Sequence, residues 1–503
     1  MSQSRQILLI NPQITSRRGA RFPLSLLTLA GALEGRVNCT LIDGNVDRDY
    51  LATIRRTLTR QTFDAVGVTV MGGPQVRTGI DVSRAVRASS PRTPIVWGGY
   101  FPTLYSDTAA NADYVDYVIR GAGEVAFVEL LDALGGVAAR DFAAIPGLTW
   151  KRDGAVHRNP DRVFADNRSP QPLPYELLGD PRTYLARTFL GRRTAAHQAA
   201  AGCRFRCTFC GVAAMFRGAT ALPPAARLER DLRWLKQLGA DSIQYFDHNF
   251  FDREVEMVPL LEVMAKAEMP WWCYARADAL LNLSPQSWAL VRQSRLRMAY
   301  IGAESPNDAM LKNIRKGTSA DQILSVADLC RHQDVIPELS FMVAPPQDTE
   351  AETERTFEFI REVKRANPHA EIIIYVYTPL PASSLPQNSR SRAAALQLTD
   401  IEGNPIVFPS TPEEWTQKHW VDYACHADAP WLTDRLRQRI QSFVTVLGCR
   451  FPTVQDIRSP RWSKFGLRAL AAWRYRFRRY DRPWELALSK KLIRLADPRV
   501  TSI

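Results

Sequence analysis

Residues 200–212 read AAGCRFRCTFCGV and place Cys203, Cys207 and Cys210 in the spacing C-x3-C-x2-C. Three thiolates on one short loop can bind three irons of a cubane [4Fe-4S] cluster and leave the fourth iron without a protein ligand. A zinc site is the alternative. Structural zinc takes four nitrogen or sulfur ligands, however, and no second C-x2-C or C/H pair accompanies this loop. The spacing therefore favours a cluster with one open iron.

The chain around and beyond this loop alternates short apolar runs with helical patterns. The runs are SIQYFD, WWCYARAD, MAYIGAES, PELSFMVAPP and EIIIYVYTPLP, all between residues 242 and 381. Runs of this length, each followed by a helical stretch, are typical of parallel strands in βα units. Residues 188–395 are therefore predicted to form a partial α/β barrel of about six strands, whose ligand groups lie at the carboxyl ends of the strands.

The first 145 residues show the same alternation with different spacing. Buried runs such as QILLIN, AVGVTVMGG and PIVWGG end in Asn or Gly and are separated by helical patterns, as in a Rossmann-like, doubly wound parallel sheet. Ligands of such sheets bind beyond the carboxyl ends of the strands, here near Asn11, Thr69, Gly98 and Gly99. The overall prediction is an α/β chain: a front domain (1–145), a linker (146–187) with a hairpin at Asp153-Gly154, the barrel (188–395) and a mainly helical basic region (396–503).

Composition excludes several classes of protein. The net charge of the 503 residues is +13, but 13 Lys or Arg against three acids fall between residues 458 and 499, which argues against a nucleic-acid enzyme that is basic throughout. No apolar run is long enough to span a membrane, and the start, MSQSRQILLINPQ, lacks the features of a signal peptide. These features predict a cytoplasmic protein. The five cysteines outside the loop are scattered singly, as expected for small buried residues.

The cysteine loop followed by these strands resembles the radical S-adenosylmethionine (SAM) superfamily, in which the open iron binds the amino and carboxylate groups of SAM. The resemblance covers residues 188–386 and implies that Phe209 packs near the adenine. It also implies that Glu304 and Ser305 reach the ribose and methionine portions, and that Asp247 and Arg276 contribute from two other strand ends. Asp247 also fits a turn or a helix N-cap. The family often has a glycine in the turn after the last strand, whereas this chain reads TPLPASS at residues 378–384.

The front domain resembles the cobalamin-binding domain that precedes many radical SAM barrels. Thr69, Met71, Gly98 and Gly99 match its strand-end loops, and Glu124 in RGAGE occupies a common position, although a glutamate at a helix start is an equally simple interpretation. The Asp-x-His-x-x-Gly signature that supplies a cobalt ligand elsewhere is absent, and no histidine precedes His157. The alternative is a domain that has lost its ligand or holds a nucleotide, but no GxGxxG follows the first strand.

Together the resemblances imply a cobalamin-dependent radical SAM methyltransferase that acts on an unactivated carbon of a small or lipid-like metabolite. They also imply a low-potential electron donor such as flavodoxin or ferredoxin. A related enzyme without methyl transfer, like the anaerobic magnesium-protoporphyrin ester cyclase, and a cobalamin-sensing regulatory protein are the alternatives. The tail from Arg461, with Phe465, Leu467, Leu470 and Trp473 at helical spacing, predicts either a helix on the inner membrane surface or a closing helix packed on the barrel.

Overall fold

The computed structural model describes residues 5–135, 141–164, 173–380, 398–457, 459 and 461–492. The turn residues 381–384 of the TPLPASS motif and the last eleven residues of the tail lie outside them. Two separate sheets organise the described chain, one of seven strands and one of six.

The first sheet has the strand order β2-β1-β3-β4-β5-β6-β7, and β1 to β5 are parallel. The strands are β1 Arg5–Asn11, β2 Val37–Asp43, β3 Ala65–Thr69, β4 Ile95–Gly98, β5 Tyr117–Ile119, β6 Leu148–Arg152 and β7 Ala155–Arg158. The helices are α1 Leu24–Ala32, α2 Tyr50–Arg60, α3 Pro74–Ser89, α4 Tyr100–Leu104, α5 Ser106–Asn111 and α6 Glu124–Leu134. The central strands β1 and β3 are apolar on both faces because helices cover both sides.

The predicted linker, residues 146–187, is only partly a connection. Its hairpin turns at Asp153-Gly154, as expected, but β6 pairs antiparallel with β5, so the hairpin extends the first sheet. Thr149 in β6 is fully buried, and it accepts a hydrogen bond from the Arg120 guanidinium. The sequence predicts the hairpin from its Asp153-Gly154 turn but not its partner strand, because β6 pairs with β5 about 30 residues away in the chain.

The second sheet is parallel and has the order β15-β14-β13-β12-β11-β8. Its strands are β8 Thr194–His197, β11 Ser242–Tyr245, β12 Trp271–Ala275, β13 Leu296–Glu304, β14 Ile336–Val343 and β15 Glu371–Val376; the short β9 Ala201–Gly202 and β10 Thr220–Ala221 form a separate pair. The helices between them are α7 Gly211–Phe216, α8 Ala225–Leu238, α9 Glu254–Ala267, α10 Ala277–Leu281, α11 Pro285–Gln293, α12 Asp308–Asn313, α13 Ala320–His332 and α14 Thr349–Ala366. The six strands in sequential order confirm the predicted partial barrel.

The C-terminal region is mainly helical, with α15 Lys418–Ala424, α16 Asp434–Arg450, α17 Arg461–Arg476 and α18 Trp484–Leu492. Trp415, fully buried just before α15, packs its ring against Phe101 and Tyr105 of the front domain and against Trp420. This aromatic cluster attaches the C-terminal region to the first domain. No helix within the described ranges combines the length and apolar character needed to cross a bilayer.

Candidate active site

The cysteine loop is braced on several sides. The Asp247 Oδ1 accepts a hydrogen bond from the Ala200 N–H (2.9 Å), and the Thr208 N–H donates to the carbonyl of Ile314 (3.0 Å). The Arg276 guanidinium lies 3.5 Å from the ring centroid of Phe205 and donates to the carbonyl of Lys316 (2.6 Å). These contacts fix the loop between the ends of three strands.

The three cysteines lie within electrostatic range of one another. Burial raises the pKa of the Cys203 thiol, and burial also raises the pKa of Cys210 to about 11. Backbone N–H groups of Phe205 and Val212, together with the positive charges of Arg276 and Lys316, act in the opposite direction. The loop therefore supplies hydrogen-bond donors and cations around its thiols, as a site for a cluster of thiolate-bound irons requires.

Among the described residues, no three His, Cys, Asp or Glu side chains converge on the position of one metal ion. In a cubane each thiolate binds its own iron, so the sulfur atoms need not share a centre. The donor set of three neighbouring thiols on one loop fits a [4Fe-4S] cluster with one iron open.

Glu304 ends β13 with its carboxylate turned back over the strand. The residue is buried, has φ = 64°, and its Oε1 accepts from the Lys316 Nζ at 2.8 Å. A β-carbon at Gly302 would lie 2.2 Å from this oxygen and 2.4 Å from the Lys316 nitrogen, so the ion pair needs glycine beneath it. Lys316 was not found by sequence reasoning, because a lysine twelve residues downstream in a polar stretch carries no recognisable signal.

Two of the other expected SAM residues, Phe209 and Ser305, lie beside this ion pair. Phe209 packs with Met342 and Tyr377, and the Lys316 nitrogen lies 5.8 Å from its ring centroid. Ser305 is buried and accepts from the Asn307 N–H. Phe209, Glu304 and Ser305 thus come together. Asp247 and Arg276 brace the cysteine loop instead, and their direct contact with SAM remains a prediction.

A mostly apolar cavity of about 240 Å³ lies between the first sheet and the barrel. Four of the six expected cobalamin residues line it: Thr69, Gly98, Gly99 and Glu124. The barrel side is formed by residues that the sequence did not single out, namely Gln198, Ala201, Met215, Phe216 and His248. Ala201 and Met215 flank the cysteine loop, so the cavity opens next to the candidate cluster site.

The remaining two expected residues, Asn11 and Met71, do not line the cavity. Asn11 donates to Asp43 (3.1 Å) and accepts from Gln75 (3.1 Å), while the Met71 N–H donates to the Gln75 side chain (2.7 Å). Both residues are therefore part of a polar network centred on Gln75. A strand-end position alone does not reveal this network, and contact of these two residues with cobalamin stays a prediction.

The glycines of the cavity provide the space that a flat macrocycle requires. A β-carbon at Gly98 would meet nothing closer than 3.9 Å and one at Gly123 nothing closer than 3.7 Å, so a side chain at either position would fit without a clash and would take up space in the cavity. Gly99 has φ = +100° and lies against Thr69 and Val70, which only glycine tolerates. The front-domain wall fits the face of a corrin ring.

His248 is the one histidine that lines the described cavity. Its Nδ1 accepts a hydrogen bond from the Gly202 N–H (3.2 Å), and burial lowers its pKa to about 4. A neutral ring whose Nδ1 is an acceptor carries its proton on Nε2. His248 is thus arranged as a hydrogen-bond donor and not as a metal ligand.

An aromatic ladder covers the face of the second sheet opposite the helices. The rings of Trp272 and Tyr274 are 4.7 Å apart, those of Tyr274 and Tyr300 4.9 Å, and the hydroxyls of Tyr300 and Tyr375 lie 2.7 Å apart. The alternate residues, such as Trp271, pack in the helix-covered core. The ladder therefore lines the interior of the barrel beside Glu304.

Two family models match the chain at these two places. A B12 binding domain matches residues 13–131, and the radical SAM superfamily matches residues 199–360. The chain therefore combines a B12-binding domain with a radical SAM domain, the domain order of cobalamin-binding radical SAM enzymes. The expected family, fold class and cofactors (the [4Fe-4S] cluster, SAM and cobalamin) are thereby confirmed.

Relatives of this radical SAM enzyme include a methyltransferase and a cyclase, the two kinds of enzyme that the sequence analysis considered. An uncharacterized methyltransferase of Pyrococcus horikoshii is 24% identical over 346 residues, covering 68% of this chain and 73% of the relative. An anaerobic magnesium-protoporphyrin IX monomethyl ester cyclase of Synechocystis sp. is 23% identical, covering 69% of this chain and 65% of the relative.

Solved structures share the fold. The radical SAM methyltransferase TsrM from Kitasatospora setae, with cobalamin and a [4Fe-4S] cluster bound, has a TM-score of 0.67 at 16% identity and covers 97% of this chain and all of its own. The cobalamin-dependent radical enzyme OxsB, with aqua-cobalamin and SAM bound, has a TM-score of 0.67 at 15% identity, covering 97% and 75%. At identities this low, the likeness shows that the fold is shared.

Proposed function

We propose that this enzyme methylates an unactivated carbon of a small or lipid-like molecule. One observation carries the proposal: the glycine-walled cavity of the front domain is closed on its other side by Ala201 and Met215, which flank the cysteine loop. Such an arrangement brings a methyl carrier next to a radical source. When bound, the cluster supplies the electron that cleaves SAM into methionine and a 5′-deoxyadenosyl radical, and cobalamin supplies the methyl group.

The chain's own residues hold and orient these groups. Cys203, Cys207 and Cys210 are the proposed iron ligands, and Phe209 and Glu304 contribute to the SAM site. Gly98 and Gly123 leave room for the corrin ring, and Glu124 lines the same cavity. The aromatic ladder is proposed to orient the substrate and to exclude water from the radical.

A cyclisation or oxidation without methyl transfer is the second candidate, since several relatives 21–23% identical are named anaerobic magnesium-protoporphyrin IX monomethyl ester cyclase. On this proposal both reactions use the same three cofactors, the [4Fe-4S] cluster, SAM and cobalamin. A cobalamin sensor is disfavoured because such a protein has no use for a braced three-cysteine loop.

Further partners belong to the proposal. A low-potential donor such as flavodoxin or ferredoxin is proposed to reduce the cluster, and no nucleic acid is expected. The site is proposed to act in the cytoplasm, with the basic C-terminal helices in peripheral contact with the inner membrane surface.

The test uses the full chain reconstituted anaerobically with iron, sulfide and cobalamin, then supplied with SAM and a chemical reductant. We expect 5′-deoxyadenosine and S-adenosylhomocysteine to form. Each of the variants Cys203→Ala, Cys207→Ala and Cys210→Ala should abolish the formation of 5′-deoxyadenosine. Omission of cobalamin should abolish the formation of S-adenosylhomocysteine. Cys330→Ala, a buried cysteine away from the loop, is the matched control and keeps both. Deoxyadenosine without S-adenosylhomocysteine at every cobalamin concentration would instead support the cyclase-like reaction.

A further inference from the structure

The last two described helices, α17 and α18, expose an unusual amount of apolar surface. Phe465, Trp473, Phe477 and Trp484 have 75%, 49%, 68% and 73% of their surface exposed, and Leu470, Leu488 and Leu492 are exposed as well. We call these seven residues the apolar face. Large exposed apolar side chains gathered on two neighbouring helices are typical of an interaction site.

The apolar face points away from the protein. In α17 the inward side is formed by Leu467 and Ala471, both buried, whereas Phe465, Ala469 and Trp473 recur every four residues on the outer side. In α18 Leu486 is buried and Trp484 and Leu488 are exposed. An ordinary closing helix carries its polar residues outside. Here the expectation that the four apolar residues of α17 form one stripe is corrected: Leu467 packs inward, and the other three face out.

Basic side chains share the last two described helices with the apolar face. Residues 461–492 contain ten Lys or Arg against two acids, Asp481 and Glu485. Some of the cations are paired, Arg474 with Glu485 and Arg478 with Glu358. Within the described part of the chain five others form no ion pair: Arg468, Arg476, Arg479, Arg482 and Lys491. The apolar face is therefore accompanied on the same two helices by unpaired positive charges, here called its basic margin.

We propose that the apolar face and its basic margin bind the surface of an anionic lipid bilayer. Tryptophan and phenylalanine insert favourably at the level of the lipid headgroups, and Lys and Arg are attracted to anionic lipids. α17 alone extends about 24 Å, at about 1.5 Å per residue, which suits a helix lying in the plane of the interface. A second copy of the chain would bring two strongly positive margins together, which electrostatic repulsion opposes.

This proposal does not depend on methyl transfer, because it concerns a surface outside the active site. It does predict access to membrane-dissolved molecules, since a protein held at the bilayer meets amphiphilic substrates at high local concentration. Failure of the lipid-binding test leaves the chemistry of the site untouched.

The test is sedimentation of the full-length, reconstituted chain with sucrose-loaded vesicles of phosphatidylcholine alone or of phosphatidylcholine with phosphatidylglycerol. The test variant is Trp473→Ser/Phe477→Ser/Trp484→Ser. The matched control is Val255→Ser/Ile401→Ser/Val407→Ser, which removes three equally exposed apolar side chains elsewhere. Far-UV circular dichroism checks that both variants retain their helices.

We expect the unmodified chain and the control to pellet with the phosphatidylglycerol vesicles. We expect the test variant to bind them at least about tenfold more weakly, and added salt to release the unmodified chain, because surface charges are screened beyond about 8 Å at physiological ionic strength. Three results would overturn the proposal: no pelleting of the unmodified chain, equal pelleting of both variants, or a dimer in light scattering that only the test variant disrupts.

Discussion

The phenol of Tyr100 packs directly against Gly211, the residue that follows the last cysteine of the loop. Tyr100 begins α4 directly after the Gly98-Gly99 pair of the cavity, and Gly211 begins α7. The contact is close enough that a β-carbon at position 211 would lie 2.3 Å from the tyrosine oxygen. The contact therefore fixes the position of the candidate cobalamin cavity wall relative to the cysteine loop.

Gly211→Ala should disrupt the contact between Tyr100 and the cysteine loop. The added methyl group would overlap the Tyr100 ring, and overpacking of this kind costs about 1–3 kcal/mol. We expect a lower thermal midpoint and reduced iron per chain after reconstitution. Gly466→Ala, in an exposed helix where a β-carbon meets nothing within 4 Å, is the control and should be neutral or slightly stabilising. A Gly211→Ala variant as stable and as iron-rich as the unmodified chain would show that the contact is loose.

Removal of the Lys316 charge should destabilise the barrel through Glu304. Lys316→Met leaves a buried carboxylate without its partner, which costs about 3–5 kcal/mol. The double variant Glu304→Gln/Lys316→Met removes both charges and should recover part of this loss. Urea unfolding of the chain without cofactors measures both effects. The interpretation fails if the single variant unfolds at the same urea concentration as the unmodified chain.

Glu338 should make stability depend on pH. Burial raises the pKa of its carboxyl to about 7, although Trp272 and Gln455 donate hydrogen bonds to it. Because the folded protein holds this proton more tightly than the unfolded chain, the contribution is present at acidic pH and is lost as pH rises through about 7. Glu338→Gln should therefore gain stability relative to the unmodified chain between pH 5 and pH 8. A difference in unfolding free energy that is constant over this range would contradict the assignment.

No histidine of the chain should bind cobalt. No histidine precedes His157, and His248 in the cavity wall uses Nδ1 as an acceptor, which places the proton on Nε2. Electron spin resonance of the reduced cobalt(II) protein should be the same with ordinary and with ¹⁵N-labelled histidine. A change in nitrogen hyperfine splitting on labelling would identify a histidine ligand.

The sequence predicts the parts of this molecule that depend on local pattern. Apolar runs ending in Gly or Asn identify the parallel strands, and the C-x3-C-x2-C spacing predicts the iron ligands. Thr69, Gly98 and Gly99 line the cavity because strand ends of a parallel sheet meet at one edge.

Residues that act across the domain interface could not be found in this way. Met215 and Phe216 reach the cavity because α4 and α7 pack together, and His248 reaches it from the loop after β11. No local pattern encodes this packing. Lys316 pairs with Glu304 because the chain turns back at the end of β13, where Glu304 itself has a positive φ. Asn11 and Met71 lie at predicted strand ends, but both form hydrogen bonds with the Gln75 side chain and do not line the cavity.

Methyl transfer itself is tested most directly with SAM that carries a deuterated methyl group. The methyl of SAM is electrophilic and cannot be delivered by simple displacement to a carbon without a lone pair or an acidic proton, so the reaction needs a second SAM to generate a radical. We expect the reconstituted chain, supplied with a small-molecule and lipid extract, to form a product that contains the labelled methyl group. S-adenosylhomocysteine and 5′-deoxyadenosine should then appear in equal amounts. Deoxyadenosine alone, with an unlabelled, oxidised or cyclised product, would contradict the account.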